Sequence, residues 1–205
     1  MKLPPKDLSR HAAWLVDLDG TLYHARWLKL AMLSELSLFG AWNAPTLRKF
    51  RHEHERLRID PPSGSAPYTT QLERTATATG RSVSEIERLT TRWMIERPLK
   101  WLKLFRRETL IAEIAAYRSL GGRTALVSDY PAAQKLRALG CAELFEVVVA
   151  NGEANGPSQL KPKPDGYLRA AQLLGVSPEK CLVIGDRPDA DGAAAKAANM
   201  DFFLV

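Results

Sequence analysis

The stretch AAWLVDLDGT, residues 12–21, decides the fold. Its first half, residues 12–16, is a short apolar run that reads as a buried strand. Its second half is a turn of two aspartates, a glycine and a threonine. An apolar strand with no polar alternation belongs in a parallel sheet covered on both faces. The rhythm returns downstream. Strands are expected at 124–128, 144–150, 181–185 and 202–205, and helices at 108–120, 131–139, 164–174 and 190–198, with Gly121, Gly140 and Gly175 as stops. Alternating strands and helices predict an α/β protein, a Rossmann-like parallel sheet core.

Between the first strand and this series lie about 80 residues of helical pattern. Helices are expected at 26–39, at 46–58 behind Pro45, at 68–79, and from 82 to about 96, where Ser82 and Glu85 form a capping-box pattern and Pro98 interrupts. Residues 61–67, PPSGSAP, read as a turn-rich loop. The expected organisation is an α/β core of residues 1–23 and 108–205, interrupted by an α-helical insertion of residues 24–107.

The 205 residues carry 29 Lys and Arg against 23 Asp and Glu, and the insertion supplies the excess, with 16 basic and 8 acidic residues. A basic segment can steer an anionic substrate or rest on nucleic acid or an anionic membrane; a solvated basic face is the plainer reading. Arg48, Arg51, His52 and His54 read as such a face, and Trp27, Leu28, Leu30, Leu33, Trp93, Trp101 and Phe105 as the core of the insertion. Cys141 and Cys181 build neither a disulfide framework nor a zinc site, which fits a reducing, cytoplasmic setting. The first residues have no apolar signal-peptide region, and the apolar stretch 27–42 is too short and too charged to cross a bilayer. The last strand runs to the end of the sequence, so a few native residues past Val205 are expected.

Ligand sites of open parallel sheets lie at the carboxyl ends of the strands. There the sequence puts Asp17, Asp19, Gly20 and Thr21, then Ser128 and Asp129, then Lys161, then Gly185, Asp186, Asp189 and Asp191. Carboxylates gathered at one edge repel unless a cation sits among them, and an all-oxygen set suits Mg²⁺. Asp17 and Asp19, two apart, can face one reacting centre, one as nucleophile and the other as general acid and base.

The set DLDGT (17–21), LVSD (126–129), KPKP (161–164) and IGDRPDAD (184–191) resembles, in order and in strand context, the four motifs of the haloacid dehalogenase (HAD) superfamily. The helical insertion resembles the type-one cap of its phosphoglycolate phosphatase-like members. The resemblance implies a Mg²⁺-dependent phosphatase that hydrolyses a small phosphorylated metabolite through an aspartyl-phosphate intermediate. Asp17 would be the nucleophile and Asp19 the acid and base, with Asp19 also a metal ligand through its backbone carbonyl. Gly20, Thr21, Ser128 and Asp129 would bind substrate, and Ser128 would hold a phosphate oxygen. Lys161 would neutralise charge. Asp17, Asp19 and Asp186 would hold the metal, supported by Asp191, with Asp189 only opening a helix.

Aspartate at position 19 argues against dehalogenation, since a halide leaving group needs no proton. Lys29 is a candidate Schiff-base lysine by location alone and reads better as a surface lysine. Tyr23, His24 and Arg26 are expected at the site entrance. A phosphomutase or phosphotransferase shares the same core, and a basic nucleic-acid or anion-binding module is the non-catalytic alternative. The expected partner is a small phosphorylated substrate, with neither nucleic acid nor membrane insertion.

Overall fold

The computed structural model describes residues 4–61, 64 and 66–205. The leader reading on residues 1–3 and part of the 61–67 loop reading, at 62, 63 and 65, lie outside the described residues. The core is a five-stranded, all-parallel sheet in the order β3-β2-β1-β4-β5. Its strands are β1 (Ala13–Asp17), β2 (Arg123–Ser128), β3 (Val147–Ala150), β4 (Cys181–Gly185) and β5 (Asp201–Leu204). β1 lies at the centre, with Asp17 opposite Val127 and Val16 opposite Ile184, so the 17–21 turn leaves from the middle of the carboxyl edge.

Period-two alternation splits the strand residues between two layers. Trp14, Val16, Leu126 and Ile184 pack with Leu110, Ile114 and Tyr117 of α6 (Glu108–Ser119) and with α7 (Ala133–Leu139). Leu15, Val127 and Val183 pack with Tyr167, Ala170 and Leu174 of α8 (Asp165–Leu174) and with α9 (Ala193–Ala197). In the first layer the Trp14 and Tyr117 rings stack at 4.0 Å, and the Tyr117 hydroxyl donates to the His11 carbonyl at 2.8 Å.

Among the described residues, the segment between β1 and α6 holds the helices α1 (Ala25–Phe39), α2 (Ala44–Ile59), α3 (Pro67–Thr79), α4 (Val83–Thr90) and α5 (Arg97–Phe105). The segment leaves and rejoins the core at one place, where His24 N–H donates to Phe105 O and Arg107 N–H to Leu22 O, both at 2.8 Å. The expected capping box at Ser82 and Glu85 is present. Buried Glu35 ties α1 to α5, accepting from Arg97 at 3.0 Å and from Lys100 and the Trp101 indole at 2.7 Å.

Several boundaries differ from the expected ones for local reasons. Pro98 does not stop the chain's helical course. A wider π turn at Thr91–Glu96 precedes it, and Pro98 sits in the first turn of α5, where a missing N–H costs little. β3 starts at Val147 because Ala142–Leu144 close a 3₁₀ turn, and a π turn at Pro188–Gly192 delays α9. The stripe on α1 departs most. Leu28 is buried, but Trp27, Leu30 and Leu33 are exposed, because the helix is apolar on two sides and only one meets the protein. Trp93 is buried, and Trp101 and Phe105 are partly buried. Among the described residues no helix is long and apolar enough to cross a membrane.

Trp14→Ala, which empties one side of the Trp14–Tyr117 stack, is expected to cost about 3–5 kcal/mol in urea denaturation. Tyr117→Phe keeps the stack and removes only the hydroxyl bond, and is expected to cost about 1 kcal/mol.

Candidate active site

The carboxyl edge of the sheet brings the buried side chains of Asp17, Lys161 and Asp191 into one ion-paired group. Lys161 Nζ lies 2.5 Å from Asp17 Oδ1 and 2.8 Å from Asp191 Oδ1, and donates to the Val127 carbonyl at 3.2 Å. The Tyr167 hydroxyl, arriving from α8, also donates to Asp191 Oδ1 at 2.8 Å, and Asp191 Oδ2 accepts the Arg187 N–H at 3.2 Å. Burial alone would push the Lys161 ammonium down, but the charge of Asp17, with that of Asp191, holds it well above its ordinary range. The Asp17 carboxyl is pushed up to about 7, chiefly by burial and further by Asp191, against the pull of Lys161.

Thr21, expected among the substrate-binding residues, donates its hydroxyl to Asp17 Oδ2 at 2.8 Å. Thr21 and Lys161 thus hold both oxygens of Asp17. Gly20 has φ +103°, and a Cβ there would collide with the Asp186 carboxylate, so the residue is glycine for two reasons at once. Asp19 turns the other way. Its Oδ1 accepts from the Tyr23 hydroxyl and lies 2.5 Å from Lys135 Nζ on α7. Burial favours its neutral form, yet Lys135 and Tyr23 outweigh this and hold the carboxyl below its ordinary value.

Asp17, Asp186 and Asp191 each bring a carboxylate oxygen within 4.8 Å of the others. Asp186 Oδ1 is buried with no hydrogen-bond partner among the described residues, and burial, then Asp191, pushes this carboxyl up. An all-oxygen set with one orphaned acceptor and an excess of negative charge fits a hard divalent cation. The carboxylate of Asp19 stands outside this side-chain group, and its expected metal contact is through the backbone carbonyl. Asp189 is exposed and pairs with Arg187 at 2.6 Å, away from the cluster.

A polar cavity of about 150 Å³ is lined by Asp17, Asp19, Asp129, Lys161, Asp186 and Asp191, and α2 closes it with His54 and Arg58. Ser128 is buried at the end of β2, where its Oγ accepts the Tyr130 N–H at 3.2 Å; neither it, Gly20 nor Thr21 forms part of that cavity wall. Asp129 Oδ2 accepts from Arg58 at 2.8 Å and its Oδ1 from the Lys161 N–H at 3.2 Å. His54 does not belong to a solvated basic face. It is buried, stacked on Tyr130 at 4.3 Å, and its Nδ1 lies 3.2 Å from Gln71 Oε1. Burial, then Arg58, outweighs Asp129 and lowers its affinity for a proton. Arg48, Arg51 and His52 are exposed, as are His24 and Arg26, while Tyr23 is buried.

The sequence reading passed over Lys135, Arg58, Tyr130 and Tyr167. For Lys135 a signal exists: it stands three residues after Ala132 and four before Leu139, on the apolar face of its helix. For Arg58, Tyr130 and Tyr167 the partners are 71, 76 and 24 residues away in sequence, and no local pattern announces them.

A strand-end aspartate pair, a lysine on the first of them and an acidic cluster across the edge agree with what comparison with known proteins finds. The family model of haloacid dehalogenase-like hydrolases matches residues 12–199. The chain belongs to this family. Among curated relatives, the plasmid-encoded phosphoglycolate phosphatase of Cupriavidus necator is 35% identical over 97 residues, 46% of this chain and 40% of that protein. Fructose-1-phosphate phosphatase YqaB of Escherichia coli is 43% identical over 63 residues, 31% of each. These matches span less than half the length of the relatives. Among solved structures, CbbY of Rhodobacter sphaeroides in complex with phosphate aligns with a TM-score of 0.60 at 22% identity over 95% of this chain and 85% of that one. L-2-haloacid dehalogenase of Xanthobacter autotrophicus aligns at 0.64 and 16% identity, over 95% and 77%. At these identities the likeness is one of fold, and it covers the HAD core together with the helical insertion.

Gly20→Ala is expected to displace the Asp186 carboxylate and to weaken divalent-cation binding by about 10–100-fold, measured by isothermal titration calorimetry on the folded variant.

Proposed function

We propose that this HAD-family chain is a Mg²⁺-dependent phosphomonoesterase acting on a small organic phosphate, with residues 24–107 as a cap over the sheet edge. The observation that carries the reading is the pairing of Asp17 with Lys161 beside the orphaned Asp186 oxygen, while Asp19 stands apart on its own lysine. Relatives named as phosphatases support it.

In this reading Asp17 attacks phosphorus in line, the bond from phosphorus to the ester oxygen breaks, and Asp19 protonates the leaving alkoxide. Asp19 then takes a proton from water, which attacks the aspartyl phosphate, frees inorganic phosphate and restores Asp17. Asp19 is held low by Lys135 and Tyr23 before substrate arrives. A phosphate dianion beside it raises its proton affinity, so substrate itself readies the acid. Thr21 and Lys161 keep Asp17 from rotating, and Lys161 offsets charge on the transferring group. Asp17 and Asp186, with the Asp19 carbonyl, would hold the cation, and Asp191 would brace Lys161 behind them. Bound Mg²⁺ supplies neutralisation of the phosphate oxygens.

Hydrolysis of para-nitrophenyl phosphate is expected to need added Mg²⁺, to stop with chelator, to fall at least about 10³-fold in Asp17→Asn, and to fall about 10²–10⁴-fold in Asp19→Asn, with circular dichroism unchanged. Activity that survives chelation or Asp17→Asn overturns the reading. Transfer to an added sugar in preference to water makes the protein a phosphotransferase.

A further inference from the structure

A second cavity, of about 550 Å³, lies between the inserted helices and the sheet edge. It meets the polar pocket at Asp19 and Tyr130, which line both. If Asp19 protonates the leaving oxygen, the group attached to that oxygen extends from Asp19, and the larger cavity is where it lies. This inference rests on the proposed phosphatase reading.

The wall of that cavity is mostly apolar. Leu28, Met32 and Leu36 present one side of α1, Leu47 and Phe50 one side of α2, and Trp93 also lines it. Three of the hydroxyls in the wall are already engaged: Tyr23 with Asp19, Thr90 with the Ile86 carbonyl at 2.9 Å, and Tyr68 with Thr90 and Thr91. Apart from Asp19 every charged group there is a cation: Lys29, Arg48, Arg51 and Lys135. A polyol spread along the apolar part of this wall would leave most of its hydroxyls without partners, and a site short of those partners discriminates against it. A hydrocarbon would fill it at a favourable transfer free energy, and the volume is that of an ordinary small-molecule site.

α1 adds a second observation. The helix that walls the cavity on one side carries Trp27, Leu30, Leu38 and Phe39 exposed on others, with Trp42 exposed just beyond its end and Arg26 and Lys29 near its start. Aromatic rings and cations around exposed leucines are the composition of a helix that rests at a lipid–water interface.

We propose that the substrate is a phosphate monoester of an apolar alcohol, alkyl, isoprenoid or aryl in class, whose hydrocarbon occupies the 550 Å³ cavity while its phosphate reaches Asp17. The products are the free alcohol and inorganic phosphate, with water as the only co-reactant.

The test is kcat/KM for a series of n-alkyl phosphates from ethyl to octyl, against glycerol and glucose phosphates, with Mg²⁺. The expected result is a rise of about fourfold per methylene, with the polyol phosphates well below octyl phosphate. Met32→Trp, which takes up part of the cavity, is expected to flatten the series, so that octyl phosphate loses its advantage over ethyl phosphate. Turnover that is independent of chain length, or that favours the polyol phosphates, overturns the inference and leaves the phosphatase reading standing. No turnover of any ester, para-nitrophenyl phosphate included, overturns both. A further arm separates two sources of the same chemistry with farnesyl phosphate. Faster turnover from anionic vesicles than from dilute monomer, lost in Trp27→Ser, supports a bilayer-borne substrate. Equal rates, unaffected by Trp27→Ser, support a dissolved one.

Discussion

A lysine ammonium buried at the end of a parallel sheet must be paired, because desolvation of an unpaired charge there would destabilise the fold. Lys161 meets that constraint with Asp17 on one side and Asp191 on the other. The pairing ties the central strand β1 to the loop after β3 and to the turn after β4. It also leaves the group net negative, with Asp186 carrying an orphaned oxygen. Pairing the lysine therefore leaves an excess of negative charge that a divalent cation would answer.

The same lysine is joined to the inserted helices through its backbone. Its N–H donates to Asp129, and the other oxygen of Asp129 accepts from Arg58 on α2. His54, one turn earlier on α2, stacks on Tyr130 beside that aspartate. Asp129 thus links α2 to the loop that carries Lys161. Tyr23 plays a similar double part, since it lies in the backbone bridge to Arg106 where the insertion begins and ends, and bonds Asp19. The polar pocket and the apolar cavity meet at Asp19, so the charged cluster and the proposed hydrocarbon site lie on either side of one carboxylate.

Much of this was legible along the chain. The apolar runs before Asp17, Ser128 and Asp186 have no reason to be so uniformly apolar except burial on both faces, and the glycines after the helices mark their ends. Where expectation failed, a local signal carried two meanings. The apolar positions of α1 suited burial, but a helix apolar on two sides cannot bury both against one neighbour; Trp27 and Leu30 lie on the side without one, and Leu33 borders the open cavity. Pro98 suited a break, but a first-turn proline is tolerated. His54 resembled its exposed neighbours in composition and differs from them only in the direction it faces.

By itself the sequence determined the α/β alternation, the place of the helical insertion and the residue types gathered at the sheet edge, because these depend on local periodicity and on which strand ends share a side. Only the tertiary structure decided the pairing within that edge. Lys135 takes Asp19, Lys161 takes Asp17, Thr21 bonds the nucleophile candidate, and Arg58 reaches Asp129 across 71 residues. Which side of α1 faces the site and which faces solvent was likewise decided there. The reason is physical: charge pairing and desolvation depend on distances of a few ångströms between residues far apart in sequence, and those distances exist only once the layers have packed.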